Sequence, residues 1–443
     1  MTAYHADYAW LGGPGVAERV LIEVERERIV TVRSGAEPPV GATRLRGLTL
    51  PGFANTHSHA FHRALRGATH RGSGSFWTWR DDMYEVAARL TPDSYYTLAR
   101  AVYGEMTLAG FTCVGEFHYL HHGPGGEPYM NPNAFGEALI AAAGDAGLRI
   151  TLLDACYLTG GFGEPLQGPQ VRFGDGDAST WAQRTSALRA GPGARIGAAV
   201  HSVRAVPLAD LPAVVEWARE RGAPLHFHLS EQPAENEACL AAHGRTPTAL
   251  LEDAGALGPR SCAVHATHLT EADIALLAGS RTTVCMCATT ERDLADGIGP
   301  ARSLAEAGAP LGVGSDSHAV IDAFEEVRAV ELDERLRSGR RGHWSAAELL
   351  QAATADGHAV LGWPETGRLA EGAVADFVCV ALGSVRLAGA RAETLLESTV
   401  FAAGAADVSD VVVAGRPVVA GGDHLLLGDV VAALDSAIEA VRP

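Results

Sequence analysis

Two histidines two residues apart, His57 and His59 in P-G-F-A-N-T-H-S-H (51–59), open the chemistry of this chain. On an extended strand such residues point to the same side. Both imidazoles can therefore face one metal ion from a rigid strand end, at nitrogen-to-zinc distances of roughly 2.0–2.1 Å. Alone, the pattern describes two solvated histidines better than a metal site. The rest of the chain supplies the missing donors. His228 in H-F-H-L-S-E (226–231) and Asp316 in G-S-D-S-H (314–318) would complete a four-residue set for one divalent ion. A hydrolytic ion needs such fixed ligands and one open position for water. His226 shares the strand face of His228, and spacing alone does not choose between them; a second-layer place inside the fold suits His226 better.

Glu231 lies three residues beyond His228, where the strand gives way to a loop. A carboxylate there can reach the activated water and the leaving nitrogen without being a ligand, as a proton shuttle must. His265 in V-H-A-T-H (264–268) can polarise the attacked group, with His268 as a loop or outer neighbour. Asp316, a ligand and an acid, can accept the water's first proton.

These residues need a scaffold that brings distant stretches together. Beyond residue 50 the chain alternates short apolar runs with helix-compatible stretches. Eight runs are recognisable: 53–59, 112–120, 150–158, 195–206, 224–232, 262–269, 282–290 and 310–318. Helical stretches include 91–109, 134–147, 208–221 and 271–279. Eight βα units in succession predict an α/β fold, a (β/α)8 TIM-type barrel, whose active site lies at the C-terminal ends of the strands. Polar residues do fall at those ends, which predicts His57, His59, Glu116, His118, Tyr119, His201, Arg204, His228, Glu231, His265 and Asp316 around one mouth. Residues 1–50 read as short strands and turns (VLIEV, RIVTV, GLTL), and 366–443 return to β chemistry before a terminal helix over 428–441. The predicted division is 1–50 and 366–443 as a small β-sandwich built from both termini, and 51–365 as the barrel. Two long connections, 60–90 with S-F-W-T-W-R-D-D-M-Y and the Gly-rich 159–178, have the size of lids or binding loops.

Composition narrows the function classes. The formal charge of −18 over 443 residues argues against a nucleic-acid or anionic-membrane partner. It also means that an anionic substrate must be bound by local arginines. No run is apolar enough to cross a bilayer, and the opening stretch lacks the basic start and apolar core of an export signal. Seven cysteines without a framework spacing read as reduced thiols in a cytoplasmic protein. Cys285 and Cys287 read as strand residues on a common face. All 35 basic residues are arginine; a Schiff base, a lysine general base and a carbamylated lysine bridging two metals are thereby excluded.

The motifs H-S-H after P-G-F, H-x-S-E, V-H-A-T-H, G-S-D-S and, near residue 368, G-x-L-A-E-G-x-x-A-D-F together resemble the amidohydrolase superfamily, in its mononuclear deaminase branch. That resemblance spans essentially the whole chain and implies a (β/α)8 barrel, a flanking β-sandwich and one zinc-type ion. More narrowly, S-F-W-T-W-R-D-D-M-Y, E-F-H-Y-L-H-H, H-S-V-R-A-V and H-A-T-H look like the formimidoylglutamate deiminase family, which hydrolyses N-formimidoyl-L-glutamate to N-formyl-L-glutamate and ammonia in histidine degradation. The resemblance implies His57, His59, His228 and Asp316 as metal ligands, Glu231 as proton shuttle and His265 as polarising residue. It implies Arg80, Tyr119, His201 and Arg204 as substrate contacts, and a homodimer. Guanidinium groups suit a dicarboxylate because they bind carboxylates bidentately. Members of the family often carry Gln where this chain has His62, which stands as a further contact. Two other readings are a related deaminase acting on a guanidino, purine or pterin-like substrate, and a non-catalytic scaffold; the latter predicts lost ligands, and none is lost.

Overall fold

The computed structural model describes residues 1–70 and 74–442, so residues 71–73 of the first long connection lie outside the described part. Among the described residues, sixteen strands form two sheets. Strands β1 (Thr2–Ala9), β2 (Ala17–Glu25), β3 (Arg28–Arg33) and β4 (Thr43–Pro51) come from the N-terminus. The barrel strands are β5 (Phe53–Ser58), β6 (Phe111–His118), β7 (Arg149–Cys156), β8 (Ala194–Val200), β9 (Leu225–Leu229), β10 (Ser261–His265), β11 (Thr283–Met286) and β12 (Leu311–Val313). Strands β13 (Phe377–Val380), β14 (Val408–Val413), β15 (Arg416–Ala420) and β16 (Asp423–His424) follow.

Strands β5 to β12 pair in chain order, each parallel to the next. Every residue of β5, β6, β7 and β9 is buried. Strands covered on both faces have no reason to alternate apolar with polar, which is why they read as continuous apolar runs. The helices between them start on local signals. Thr91 and Ser94 form a reciprocal cap before Pro92–Leu108, and Thr270 and Asp273 do so before Glu271–Ser280.

The seam between β12 and β5 closes the barrel through the residues after each strand. Asp316 N–H donates to His57 O at 3.1 Å and His59 N–H to Asp316 O at 3.3 Å. This close approach needs a glycine: a Cβ at Gly314 would sit 2.8 Å from both the backbone nitrogen and the oxygen of His57.

The two termini, expected to build a small β-sandwich, join in one continuous sheet in the order β16-β15-β14-β13-β4-β1-β2-β3, where the C-terminal β13 pairs antiparallel with the N-terminal β4. Its small core includes Tyr4, Ile22, Leu45 and Phe377. β1, within M-T-A-Y-H-A-D-Y-A-W, is a strand that the sequence reading leaves out. The first long connection contains the helix Phe76–Arg89, and the second a short 3-10 turn, Gly168–Arg172. Among the described residues no helix is long and apolar enough to cross a membrane.

Candidate active site

The barrel seam delivers the first three donors. His57 and His59 stand at the end of β5, and the backbone exchange with Asp316 brings its carboxylate to 3.3 Å from His57 Nε2 and 3.4 Å from His59 Nε2. β9 supplies His228, whose Nε2 lies 3.1 Å from His57 Nε2; His59 Nε2 is also 3.1 Å from that atom. All four side chains are buried, and their donor atoms lie within 4.8 Å of one another. The tautomers follow from the outer partners. His59 Nδ1 faces Phe117 O at 2.8 Å and His228 Nδ1 faces His201 O at 2.9 Å. A carbonyl only accepts, so both Nδ1 atoms carry the proton and both Nε2 atoms present bare lone pairs. One proton on His57 Nε2 cannot satisfy two lone pairs and a carboxylate at once. The donor set therefore fits a divalent cation. Burial pushes the imidazoles of His57, His59 and His228 below their ordinary range, which keeps them neutral as ligands must be.

Two more groups stand beside this cluster. His265 Nε2 is 3.7 Å from Glu231 Oε1 and 3.9 Å from Asp316 Oδ2, while its Nδ1 is 3.5 Å from Glu291 Oε1. Burial would lower the His265 pKa, but the carboxylates of Glu231, Glu291 and Asp316 outweigh it and raise it to about 10. Burial, aided by Asp316 and Glu235, raises Glu231 to about 7 against the pull of His265 and Arg204. Asp316, wedged against His57 and His265, is held well below the carboxylate range despite its burial. Ser230, His265 and Asp316 adopt left-handed backbone, with φ of +50°, +67° and +42°. Such conformations cost non-glycine residues roughly 1–2 kcal/mol each. Their gathering at three strand ends concentrates backbone strain at the site.

One cavity opens over these groups. Ten of the expected site residues line it: His59, His62, Arg80, Tyr119, His201, Arg204, His228, Glu231, His265 and Asp316; His57 is fully buried and outside the lining. Arg204 has Glu235 as its acidic neighbour, at 3.9 Å. Arg80 lies over the Trp77 ring, 4.6 Å from its centroid, with its buried Nε unpaired. His62 Nε2 is 3.0 Å from the Tyr119 hydroxyl. Burial pushes His62 down to about 3, so it is a neutral partner.

Two residues expected at the mouth are elsewhere. Glu116 and His118 alternate on β6 with Phe117 and Tyr119, so they face away from the cavity. Glu116 accepts from Ser58 Oγ and Ala60 N, each at 2.7 Å, and so ties down the H-S-H turn from behind. His118 joins a second cluster with His121 and Asp154. That cluster has the composition of a metal site but not the chemistry. Asp154 accepts from both terminal nitrogens of Arg184, from Trp181 and from Thr185, so a cation is already in place. His226 is buried with neither ring nitrogen bonded, and stays outside the four-donor set. His268 faces Asp296 O at 2.8 Å as an outer neighbour. The sequence reading does not single out Tyr84, Tyr157, Phe173, Glu235 or Glu291. Tyr157 ends the third barrel run and was legible there; the others sit in connections and helices without a signal of their own.

The amidohydrolase family profile matches residues 48–418. A formimidoylglutamate deiminase of Pseudomonas aeruginosa is 38% identical over 438 residues, 96% of each chain. Among solved structures, an amidohydrolase from Brucella melitensis superposes with a TM-score of 0.91 at 34% identity, covering 100% of both chains. An adenosine deaminase from Xanthomonas campestris with bound zinc superposes with a TM-score of 0.84 at 25% identity, over 99% of this chain and 97% of that one. Four donors converging at the seam of an eight-stranded barrel, and a profile that runs through both sheets, have one reading: this chain belongs to the amidohydrolase family.

Proposed function

We propose that this protein hydrolyses N-formimidoyl-L-glutamate to N-formyl-L-glutamate and ammonia. One observation carries the reading: two guanidiniums, Arg80 and Arg204, line the same cavity as the four-donor cluster. A substrate with two carboxylates and a C–N bond to be cut uses all of these groups. The full-length similarity to a formimidoylglutamate deiminase supports the same reaction. A neutral purine or pterin ring would leave two arginines without an anion, which disfavours that alternative.

His57, His59, His228 and Asp316 would hold the divalent ion, and His-rich ligation favours zinc. Such an ion supplies Lewis-acid activation of water, lowering its pKa from about 15.7 to about 7 in well-known zinc enzymes. The chain's own groups do the proton work. Glu231, raised to about 7, is matched to accept a proton from water and return it to the leaving nitrogen at neutral pH. Glu231, Glu291 and Asp316 keep His265 protonated, so its Nε2–H is a donor for charge developing on the oxygen added to the attacked carbon. Arg80, Tyr119, His201 and Arg204 bind and orient the two carboxylates, and His62 fixes the Tyr119 hydroxyl. In the balance, water adds to the formimidoyl carbon, the bond to the terminal nitrogen breaks, and that nitrogen leaves as ammonia.

In this proposal the barrel over 51–365 is the catalytic unit, and 1–50 with 366–443 form its flanking sheet. The protein works in the cytoplasm as a homodimer, a compartment in keeping with seven free and buried cysteines. Ammonia release from N-formimidoyl-L-glutamate, guanine and adenosine, measured side by side, tests the substrate. Turnover confined to the first is expected; preference for either purine compound would overturn the assignment.

A further inference from the structure

The two long connections meet at Gln170, whose amide bonds two tyrosines, Tyr84 and Tyr157, that line the cavity. Its side-chain amide has a fixed orientation, because Oε1 accepts from Gln167 N–H at 3.1 Å. The opposite end, Nε2, donates to the Tyr84 hydroxyl at 3.0 Å and to the Tyr157 hydroxyl at 3.2 Å. Tyr84 belongs to the helix Phe76–Arg89 that carries Arg80, whose guanidinium lies 5.6 Å from the Tyr84 ring centroid. Tyr157 follows β7 and packs against His201 at a tilt, with ring centroids 4.3 Å apart. The packing leaves Gln170 little choice of place: a Cβ on Gly160 would come within 2.9 Å of its Oε1.

The proton count follows. Each phenol oxygen accepts one hydrogen from Nε2, and each phenol keeps a hydrogen of its own. One of these can bridge to the other phenol; the second has no protein acceptor among the described residues. A donor left over beside two guanidiniums is matched to an anion.

We propose that the Tyr84–Tyr157 pair supplies one carboxylate donor in the substrate site and that Gln170 is the positioning residue that aims it, so that the trio sets the preference for a dicarboxylic over a monocarboxylic amidine. The inference rests on the proposed deiminase reading for its substrate, but not for its chemistry. A hydrogen bond to a carboxylate contributes roughly tenfold to a hundredfold in affinity. Gln170→Glu is the most informative variant. A carboxylate at 170 accepts from both phenols, which claims their protons and turns the donors away from the ligand.

The test compares wild type with Tyr84→Phe, Tyr157→Phe and Gln170→Glu, each checked for metal content and melting temperature. N-formimidoyl-L-glutamate and N-formimidoyl-L-glutamine, in which one carboxylate is an amide, are the paired substrates. The expected result is a KM for the dicarboxylate raised at least tenfold in one Phe variant and in Gln170→Glu, with kcat within about threefold and the discrimination between the two substrates reduced. An unchanged discrimination ratio in both Phe variants would overturn the proposal. Calorimetric titration with glutarate separates this outcome from failure of the deiminase reading. If wild type turns over neither compound, tighter glutarate binding by wild type than by the variants still supports the trio, and equal binding refutes it. The two Phe variants decide the matter even where Gln170→Glu does not fold.

Discussion

Glu231 and His265 sit 3.7 Å apart, and in the proposed reaction their different environments suit them to opposite tasks. The same burial that raises the carboxylate is overridden at the imidazole by three surrounding acids. Glu231→Gln keeps the shape and removes the proton carrier. We expect kcat to fall by roughly 10²–10⁴-fold, the usual worth of a general acid–base, with metal content by elemental analysis and glutarate affinity unchanged. A variant retaining full kcat would take Glu231 out of the mechanism. His62 permits a gentler test. Its ring is neutral and meets Tyr119 through a single nitrogen, and an amide can replace that contact. His62→Gln should hold kcat/KM within about threefold of wild type. His62→Ala, which leaves the Tyr119 hydroxyl without this partner, should lower it by roughly fivefold to tenfold, read from steady-state kinetics.

At the scale of elements, what the sequence discloses depends on how local the cause is. The eight barrel strands were legible because burial on both faces writes a continuous apolar run, and the four clustered donors were legible because each lies toward the end of such a run. Side-chain direction was not legible at β6: E-F-H-Y carries four large or polar residues in a row, and only the packing of Phe117 against His57 and His228 decides which pair faces the cavity. Nor does any pattern announce that Arg172, from the second long connection, donates to the carbonyls of Ala87 and Leu90 at the end of the helix Phe76–Arg89. Contacts between two connections have no periodicity. The cluster around Arg184 is the second such case, and it makes a prediction about pH. Burial, with Arg184 nearby, pushes His121 down from its ordinary 6.5 to about 4. Burial would raise Asp154, but Arg184 outweighs it and holds that carboxyl at about 2, below its ordinary 3.8. Between about pH 6.5 and 4 the unfolded chain binds a proton at His121 that the folded chain refuses. Between about 4 and 2 the same holds at Asp154. In both windows stability falls as pH falls. For His121 alone the loss is on the order of 3 kcal/mol. Denaturant melts from pH 7 to pH 4 should show a steady decline, and His121→Phe should flatten its upper part. A profile independent of pH over that range would contradict the neutral, buried His121.

For the whole molecule, the question is how the terminal sheet is locked to the barrel. Arg149, the first residue of β7 at the end opposite the active site, donates from Nε to Asp376 Oδ2 at 2.8 Å and from a terminal nitrogen to Oδ1 at 3.2 Å. Asp376 stands just before β13 and also accepts from Ala414 N–H. Both side chains are almost fully buried. A buried pair is weak evidence of net stabilisation, because desolvation offsets the attraction, but removing one partner strands a charge and costs about 3–5 kcal/mol. Asp376→Ala and Arg149→Ala should each lower stability by about that amount in urea melts. The double variant Arg149→Met with Asp376→Leu should lose less than the sum of the two single changes, since it leaves no charge unpaired. Because the pair sits at the far end of the strands from the four clustered donors, kcat and KM per folded molecule should stay at wild-type values in all three. Additive losses in the double variant would mean that the two groups do not interact, and a change in KM would mean that the sheet reaches the cavity through β7 rather than only holding the barrel shut.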